Sequence, residues 1–230
     1  MIEKPEKGIT MIIQKYDFSR YDYTVQETEQ YLCEVVKSKY GAMKTPHIFE
    51  ALALAKRVHA PHLRDNNAPF IIHPMRVALM LAKLDNKTTS KVLVASLLHD
   101  TIEKSCLTDR EIEQSFGSYV AKLVQSVTRR QNTSSLEEKR EAKRQQWQEI
   151  MRSSHEVRII KTLEDLDNMI CWKAIPEGSP ARRKIPRWLK EAQEMSLPLA
   201  HATNEQAYYF MQREIAYYVK QGYGDQPITK

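Results

Sequence analysis

The sequence has little glycine, proline or cysteine. Its 230 residues include 6 glycines, 10 prolines and 3 cysteines. The cysteines, at positions 33, 106 and 171, show no CxxC pairing, which argues against a zinc ribbon or a disulfide framework and fits reduced thiols in a cytoplasmic protein. Long runs rich in Glu, Lys, Gln, Ala and Leu, with few helix breakers, predict an all-α fold.

Long apolar runs are also missing, so no membrane-spanning helix is expected. The first 23 residues contain acidic side chains and no continuous apolar stretch, so we do not expect a signal peptide. The formal charge of +6 is compatible with an anionic partner such as a nucleotide, a nucleic acid or a phosphorylated metabolite. It is equally compatible with a solvated basic surface that has no such partner.

Residues 92–104, VLVASLLHDTIEK, form an apolar run that ends in polar side chains. We predict one central buried helix here. At about 100° per residue, His99 and Glu103 would share a helix face with Asp100 beside them. Burying an imidazole and two carboxylates is costly unless a partner compensates the charges, and a divalent metal would do so. A lone His-Asp pair is more often simply solvated.

Two histidine- and acid-bearing segments flank this run. His73 precedes Pro74 at a predicted junction between a loop and a helix, where it could be a metal ligand or a capping or packing residue. In the predicted helix 155–172, Lys161, Glu164 and Asn168 lie roughly opposite the apolar stripe, facing either solvent or a cleft. Further helices are predicted at 27–39, 47–59, 74–83, from Thr108 with a capping box to Glu111, 118–127, 136–151 and 205–221.

Together, His73, His99, Asp100 and a carboxylate from positions 164–165 give an H…HD…D/E pattern spread over three helices. Two imidazoles and two carboxylates suit Mn²⁺, Fe²⁺ or Zn²⁺ better than Mg²⁺ or Ca²⁺, which prefer oxygen ligands. Such a metal lowers the pKa of a bound water and neutralises phosphate charge. The pattern is therefore typical of an HD-type phosphohydrolase.

Several motifs occur in one order: Ala55 to His59, Arg64 followed by PFIIHP, then LLHDTIE, FGSYVAKLVQSVT and IIKTLEDLDNM. This order resembles the HD hydrolase domain of the RelA/SpoT-homologue family over about residues 47–195. It is most similar to the small stand-alone alarmone hydrolases of the metazoan SpoT-homologue type, because no nucleotidyltransferase domain follows. The resemblance implies an all-α HD-domain bundle of about ten helices, dependence on Mn²⁺, and removal of the 3′-diphosphate from (p)ppGpp. We expect an N-terminal arm and helix at 1–45, the hydrolase domain at 46–200, and a C-terminal helix at 201–230 that packs on it.

The resemblance also implies roles for individual residues. The metal ligands would be His73, His99, Asp100 and Glu164, with Asp165 as a rival to Glu164. Glu103 would align the attacking water, and Lys104 stands at the second position of that catalytic pair. Substrate contacts would come from Arg64, Asn168, Lys139, Arg140 and Trp188. The expected partner is a small phosphorylated nucleotide rather than a nucleic acid or a membrane.

Three departures from the family pattern bear on function. Glu103-Lys104 replaces a pair of carboxylates, Asp65 replaces a basic residue, and Glu164 replaces an aspartate. The favoured hypothesis is a hydrolase whose base preference has moved to a related nucleotide. One alternative is a nucleotide-binding or antitoxin-like regulatory module in which Lys104 marks lost chemistry. Another is a different HD nucleotide phosphohydrolase, such as a 5′-nucleotidase. The sequence leaves the oligomeric state open.

Overall fold

A computed structural model describes residues 17–129 and 135–224. Within these ranges the chain is helical and contains no β-strand, which confirms the predicted all-α class. The first sixteen residues of the predicted N-terminal arm lie outside the described part of the chain. The α-helices are α1 (Val25–His59), α2 (Ile72–Leu84), α3 (Ser90–Leu98), α4 (Thr101–Lys104), α5 (Asp109–Phe116), α6 (Ser118–Val127), α7 (Leu136–Arg152), α8 (His155–Cys171), α9 (Ile185–Glu191), α10 (Leu197–His201) and α11 (Glu205–Lys220).

Helix α1 combines the two helices predicted at 27–39 and 47–59. Its kink lies at Gly41, whose φ of 69° and ψ of 171° are not helical. Glycine adopts a positive φ without the steric cost that a Cβ would add. The chain therefore changes direction at Gly41 before α1 continues to His59.

Two predicted boundaries next to the histidines are wrong. Helix α2 starts at Ile72 and not at Pro74, so His73 lies inside its first turn. Proline is tolerated there because the first turn needs no N–H from it. The predicted single helix at 92–104 ends at Leu98, and Asp100 has φ −98° and ψ −3°, so the following turn is separate.

The core is built around α2 and α3. Every residue of α2 except Lys83 is buried, and α3 is buried from Val92 to Leu98. Both helices pack against α1 and α8. The C-terminal helix α11 also packs on α8, where the Tyr218 hydroxyl donates a hydrogen bond to the Met169 carbonyl at 2.9 Å. Among the described helices, none combines the length and the apolarity needed to cross a bilayer.

Candidate metal centre

Three of the predicted ligands come together at the core ends of α2 and α3. His73, His99 and Asp100 offer ligand atoms that all lie within 4.8 Å of one another. The two Nε2 atoms are 3.2 Å apart. Asp100 Oδ2 lies 3.3 Å from His99 Nε2 and 3.6 Å from His73 Nε2. The three donor atoms therefore converge on one point, as ligands of a single ion do.

The opposite nitrogens of both imidazoles are already engaged. His73 Nδ1 lies 2.6 Å from Asp167 Oδ2, and His99 Nδ1 lies 2.7 Å from the Ser96 carbonyl. Both partners accept hydrogen bonds, so each ring carries a proton on Nδ1 and directs Nε2 into the site. Two Nε2 atoms 3.2 Å apart need either a proton or a cation between them, because two facing lone pairs would repel. The donor set thus fits a divalent transition metal.

Asp167 was not predicted from the sequence, and it connects the metal centre to the rest of the fold. It is fully buried, and its second carboxylate oxygen accepts from Arg76 Nε. Arg76 also donates to the carbonyls of Arg20 at 2.5 Å and Phe18 at 2.9 Å. Burial alone would raise the pKa of Asp167, but Arg76 and His73 outweigh it and hold this pKa well below its usual range. Asp167 therefore remains an anion that orients His73.

The two imidazoles have opposite electrostatic environments. Burial, together with the charge of Arg64, lowers the pKa of His73 to about 4. Burial also disfavours the charged form of His99, but the Asp100 carboxylate beside it dominates and raises the pKa of His99 to about 9. Without a metal, the site therefore holds a proton between His99 and Asp100. A bound cation would displace that proton.

The fourth predicted ligand, Glu164, is not one of the three mutually close ligands. It is buried, with 8% of its surface exposed, and Oε1 lies 2.8 Å from Lys161 Nζ. Its negative charge contributes to the raised pKa of His99. The rival Asp165 accepts a hydrogen bond from Ser196 Oγ at 2.9 Å and lies 3.1 Å from Lys161. Asp165 is thus engaged with the π-helical segment Ala192–Ser196, which follows α9.

The predicted catalytic pair lies on α4. Glu103 is half-buried, and its Oε1 accepts the backbone N–H of Arg129 at 2.5 Å. Burial, followed by the negative charge of Asp100, raises the pKa of Glu103. Lys104 is exposed, and its ammonium lies 5.0 Å from the centre of the Phe70 ring. A carboxylate and a cation therefore stand side by side near the metal cluster.

Two predicted substrate-binding residues contact each other across the fold. Arg64 Nη2 donates to Asn168 Oδ1 at 2.8 Å, and Arg64 Nη1 lies 3.7 Å from Asp167. Arg64 also lies 5.8 Å from the centre of the Phe70 ring. Phe70 in turn packs edge-to-face on His73 with ring centroids 5.8 Å apart. Arg64 and Asn168 thus form one polar surface next to the metal ligands.

The remaining predicted substrate contacts lie elsewhere. Trp188 is half-buried and stacks on Trp172 with ring centroids 5.5 Å apart. Lys139 and Arg140 are exposed on α7, and Arg140 lies 3.8 Å from Glu137. The structure gives these three residues no contact with the metal ligands among its described interactions, so their roles remain predictions.

The fold and the paired histidines with an adjacent aspartate define an HD-domain protein. The family described as "HD domain" matches residues 51–202, and the chain belongs to it. The guanosine-3′,5′-bis(diphosphate) 3′-pyrophosphohydrolase of Aquifex aeolicus is 37% identical over 158 residues, which is 67% of this chain and 21% of that protein. The guanosine-3′,5′-bis(diphosphate) 3′-pyrophosphohydrolase MESH1 of Danio rerio is 36% identical over 132 residues, which is 57% of this chain and 71% of that protein.

These matches make the chain a homologue of the SpoT-type ppGpp hydrolases, as the sequence motifs predicted. It spans about a fifth of the length of the Aquifex relative (21%). A solved structure of a metazoan orthologue of SpoT that hydrolyses ppGpp superposes with a TM-score of 0.67 at 24% identity. The superposition covers 78% of this chain and 98% of that one, so the two share a fold.

Proposed function

We propose that this protein is a metal-dependent pyrophosphohydrolase that removes the 3′-diphosphate from (p)ppGpp or a closely related nucleotide. The observation that carries the proposal is the pair of His73 and His99 Nε2 atoms, 3.2 Å apart, with Asp100 beside them and both Nδ1 atoms engaged. The family match at 51–202 supports a hydrolase domain over residues 46–200. The relatives named above, which are ppGpp 3′-pyrophosphohydrolases, support the reaction.

The proposed metal is Mn²⁺, held by His73, His99, Asp100 and Glu164. A mixed nitrogen and oxygen donor set favours a transition metal over Mg²⁺ or Ca²⁺. When bound, the cation supplies an activated water and charge neutralisation for a phosphate. Asp167 and Ser96 keep both imidazoles in the tautomer that ligation requires.

The other predicted residues act on the substrate and on the attacking water. Glu103 has one carboxylate oxygen engaged with the Arg129 backbone, which leaves the other to orient the water. Arg64 and Asn168 present a joint surface of donors and acceptors to the nucleotide. We further propose that the phosphate and sugar contacts come from Lys139, Arg140 and Trp188, and that the substrate is a small cytoplasmic nucleotide.

The base preference of the enzyme is proposed to differ from that of the relatives, which are named for a guanosine substrate. The loop that follows Arg64 contains Asp65, Asn66 and Asn67, and Asn67 has a φ of 63°. Asp65 lies 3.9 Å from Lys184, so it carries a local counter-ion. An acidic and amide-rich loop in this position offers a purine base different hydrogen-bond donors and acceptors than a basic loop does.

One observation favours a second function, a nucleotide-binding regulatory module without turnover. Lys104 follows Glu103 at the position where the family pattern has a second carboxylate, and its ammonium lies over the Phe70 ring. If a second carboxylate is required to activate water, the protein would bind a nucleotide and not hydrolyse it.

The two functions are separated by measuring phosphate and pyrophosphate release from ppGpp, pppApp and NADPH with Mn²⁺. We expect pyrophosphate from one of the 3′-diphosphates, and no release by the matched Asp100→Ala variant. No release by metal-loaded wild type would refute the hydrolase. Turnover gained by Lys104→Asp would then support the regulatory module, because one restored carboxylate would have restored the chemistry.

A further inference from the structure

A fourth histidine lies next to the metal centre, and neither the family motif nor the ligand cluster gives it a role. His59 is the last residue of α1, and 1% of its surface is exposed. Neither of its ring nitrogens has a hydrogen-bond partner among residues 17–129 and 135–224. Leaving a buried polar atom without a hydrogen-bond partner has a cost in free energy. Such a cost is expected to be offset by something that binds there.

The surroundings of His59 place it close to the ligands. Its ring packs on Phe70 with centroids 4.9 Å apart, and the Phe70 ring contacts His73. The charges of Asp100, His99 and His73 all act on His59, which shows that it lies within electrostatic range of the entire cluster. His59 is not one of the residues whose ligand atoms lie within 4.8 Å of one another. His59 therefore lies close to the centre, with the Phe70 ring in contact with both His59 and His73, and it is not one of the three clustered ligands.

The protonation state of His59 suits such a contact. Burial lowers its pKa to about 4, so the imidazole is neutral at pH 7. A neutral imidazole offers one N–H donor and one acceptor nitrogen. A half-buried histidine nearby, His62, differs because its Nδ1 lies 3.1 Å from the Val58 carbonyl. Unlike His62, buried His59 has two ring nitrogens without a hydrogen-bond partner in the described part of the chain.

We propose that His59 is a positioning residue that hydrogen-bonds the oxygen entering the site formed by His73, His99 and Asp100. That oxygen belongs either to water or to a phosphate group of the substrate. The inference rests on the proposed metal-dependent hydrolase. His59 orients the reacting oxygen, and the clustered ligands bind the metal.

The test compares wild type with His59→Leu, His59→Gln and His59→Asn. Leucine removes both nitrogens, whereas the amides restore a polar group near the position of Nε2 or Nδ1. His62→Leu is the matched control, because His62 also contacts Phe70. The measurements are the Mn²⁺ affinity, the visible absorption of the Co²⁺-loaded protein, the affinity of the Mn²⁺-loaded protein for inorganic pyrophosphate, and kcat and KM for the nucleotide that is hydrolysed.

We expect His59→Leu to keep the Mn²⁺ affinity within about twofold and to lower kcat by about 10- to 100-fold. If the oxygen belongs to water, the Co²⁺ spectrum changes in the absence of pyrophosphate. If it belongs to phosphate, the pyrophosphate affinity falls by about tenfold, as expected for loss of one hydrogen bond to a charged group. One of the two amide variants should recover most of the lost kcat, and His62→Leu should resemble wild type in every measurement.

Three results would overturn the inference. A fall of more than tenfold in Mn²⁺ affinity in all His59 variants would make His59 a ligand. An unchanged Co²⁺ spectrum together with unchanged pyrophosphate affinity would leave His59 without any contact to the reacting oxygen. Failure of both amide variants to exceed leucine in kcat would indicate a packing role. The spectrum and the pyrophosphate affinity need no turnover, so the inference stays testable even if wild type hydrolyses no nucleotide and the proposed function fails.

Discussion

Asp167 Oδ2 and His73 Nδ1 lie 2.6 Å apart, although 94 positions separate the two residues in the sequence. The contact fixes the tautomer of His73 from the side opposite the metal centre. The same carboxylate accepts from Arg76 and lies 3.7 Å from Arg64. One buried anion on α8 therefore orients a ligand and holds two arginines.

Asp167→Asn should weaken Mn²⁺ binding by about 10- to 100-fold, the usual effect of losing a partner that orients a ligand. The amide has nearly the same shape, so the change removes the negative charge that keeps the His73 proton on Nδ1. The measurement is isothermal titration with Mn²⁺, and Asp165→Asn is the matched control on the same helix. Equal Mn²⁺ affinity in Asp167→Asn and wild type would show that His73 needs no orienting anion.

Glu164→Gln should weaken Mn²⁺ binding by at least tenfold, because it removes the proposed fourth ligand. Asp165→Asn should leave the Mn²⁺ affinity within about threefold, since Asp165 is engaged by Ser196 at 2.9 Å. Both variants remove one negative charge near Lys161, so the pair separates ligation from general electrostatics. The reverse order of effects, measured by the same titration, would make Asp165 the ligand.

Arg64→Ala should raise KM for the nucleotide by about tenfold, equivalent to about 1.4 kcal/mol of lost binding free energy. The reason is the loss of the guanidinium that meets Asn168 at the edge of the metal centre. Steady-state kinetics on the nucleotide that is hydrolysed measures the change, and Arg110→Ala, exposed on α5, is the control. An unaltered KM in Arg64→Ala would exclude Arg64 from the nucleotide site.

The metal-free protein should show a pH dependence that comes from His59. Burial lowers the pKa of His59 from 6.5 to about 4, so the unfolded chain binds a proton over this interval while the folded protein does not. Wild type should therefore lose stability relative to His59→Leu as the pH falls from 6.5 towards 4, with a slope approaching about 1.4 kcal/mol per pH unit.

Urea denaturation of both proteins in EDTA, at several pH values, measures this difference in the free energy of unfolding. The difference should be constant above about pH 7, where His59 is neutral in both states. A difference that does not change between pH 6.5 and pH 4 would contradict the neutral, buried imidazole.

The sequence pointed to the three clustered candidate ligands and missed the residues that support them. His73, His99 and Asp100 are recognisable because motifs mark them, and the structure brings them together. The break after Leu98 was not predictable, since no glycine or proline marks it and the run stays apolar up to His99. A helix boundary set by tertiary packing leaves no local signal.

Asp167 illustrates a different limit. It lies next to Leu166 on α8, and an acid beside an apolar stripe is the one signal that could have drawn attention to it. Its partners, Arg76 and His73, lie on another helix, and the spacing of residues in the sequence does not predict contacts between two helices. The lack of a hydrogen-bond partner for the His59 ring nitrogens among the described residues is likewise visible only from the placement of the neighbouring side chains.

The contacts of Arg76 bear on when the metal centre can form during synthesis of the chain. Its guanidinium donates hydrogen bonds to the carbonyls of Phe18 and Arg20 and to Asp167. The contacts that support the metal centre therefore come from residues as far apart in the sequence as positions 18 and 167. A nascent chain that has exposed His73, His99 and Asp100 still lacks the anion that orients His73. Competence to bind metal is therefore expected to arise late in translation, once α8 has left the ribosome and docked onto α2.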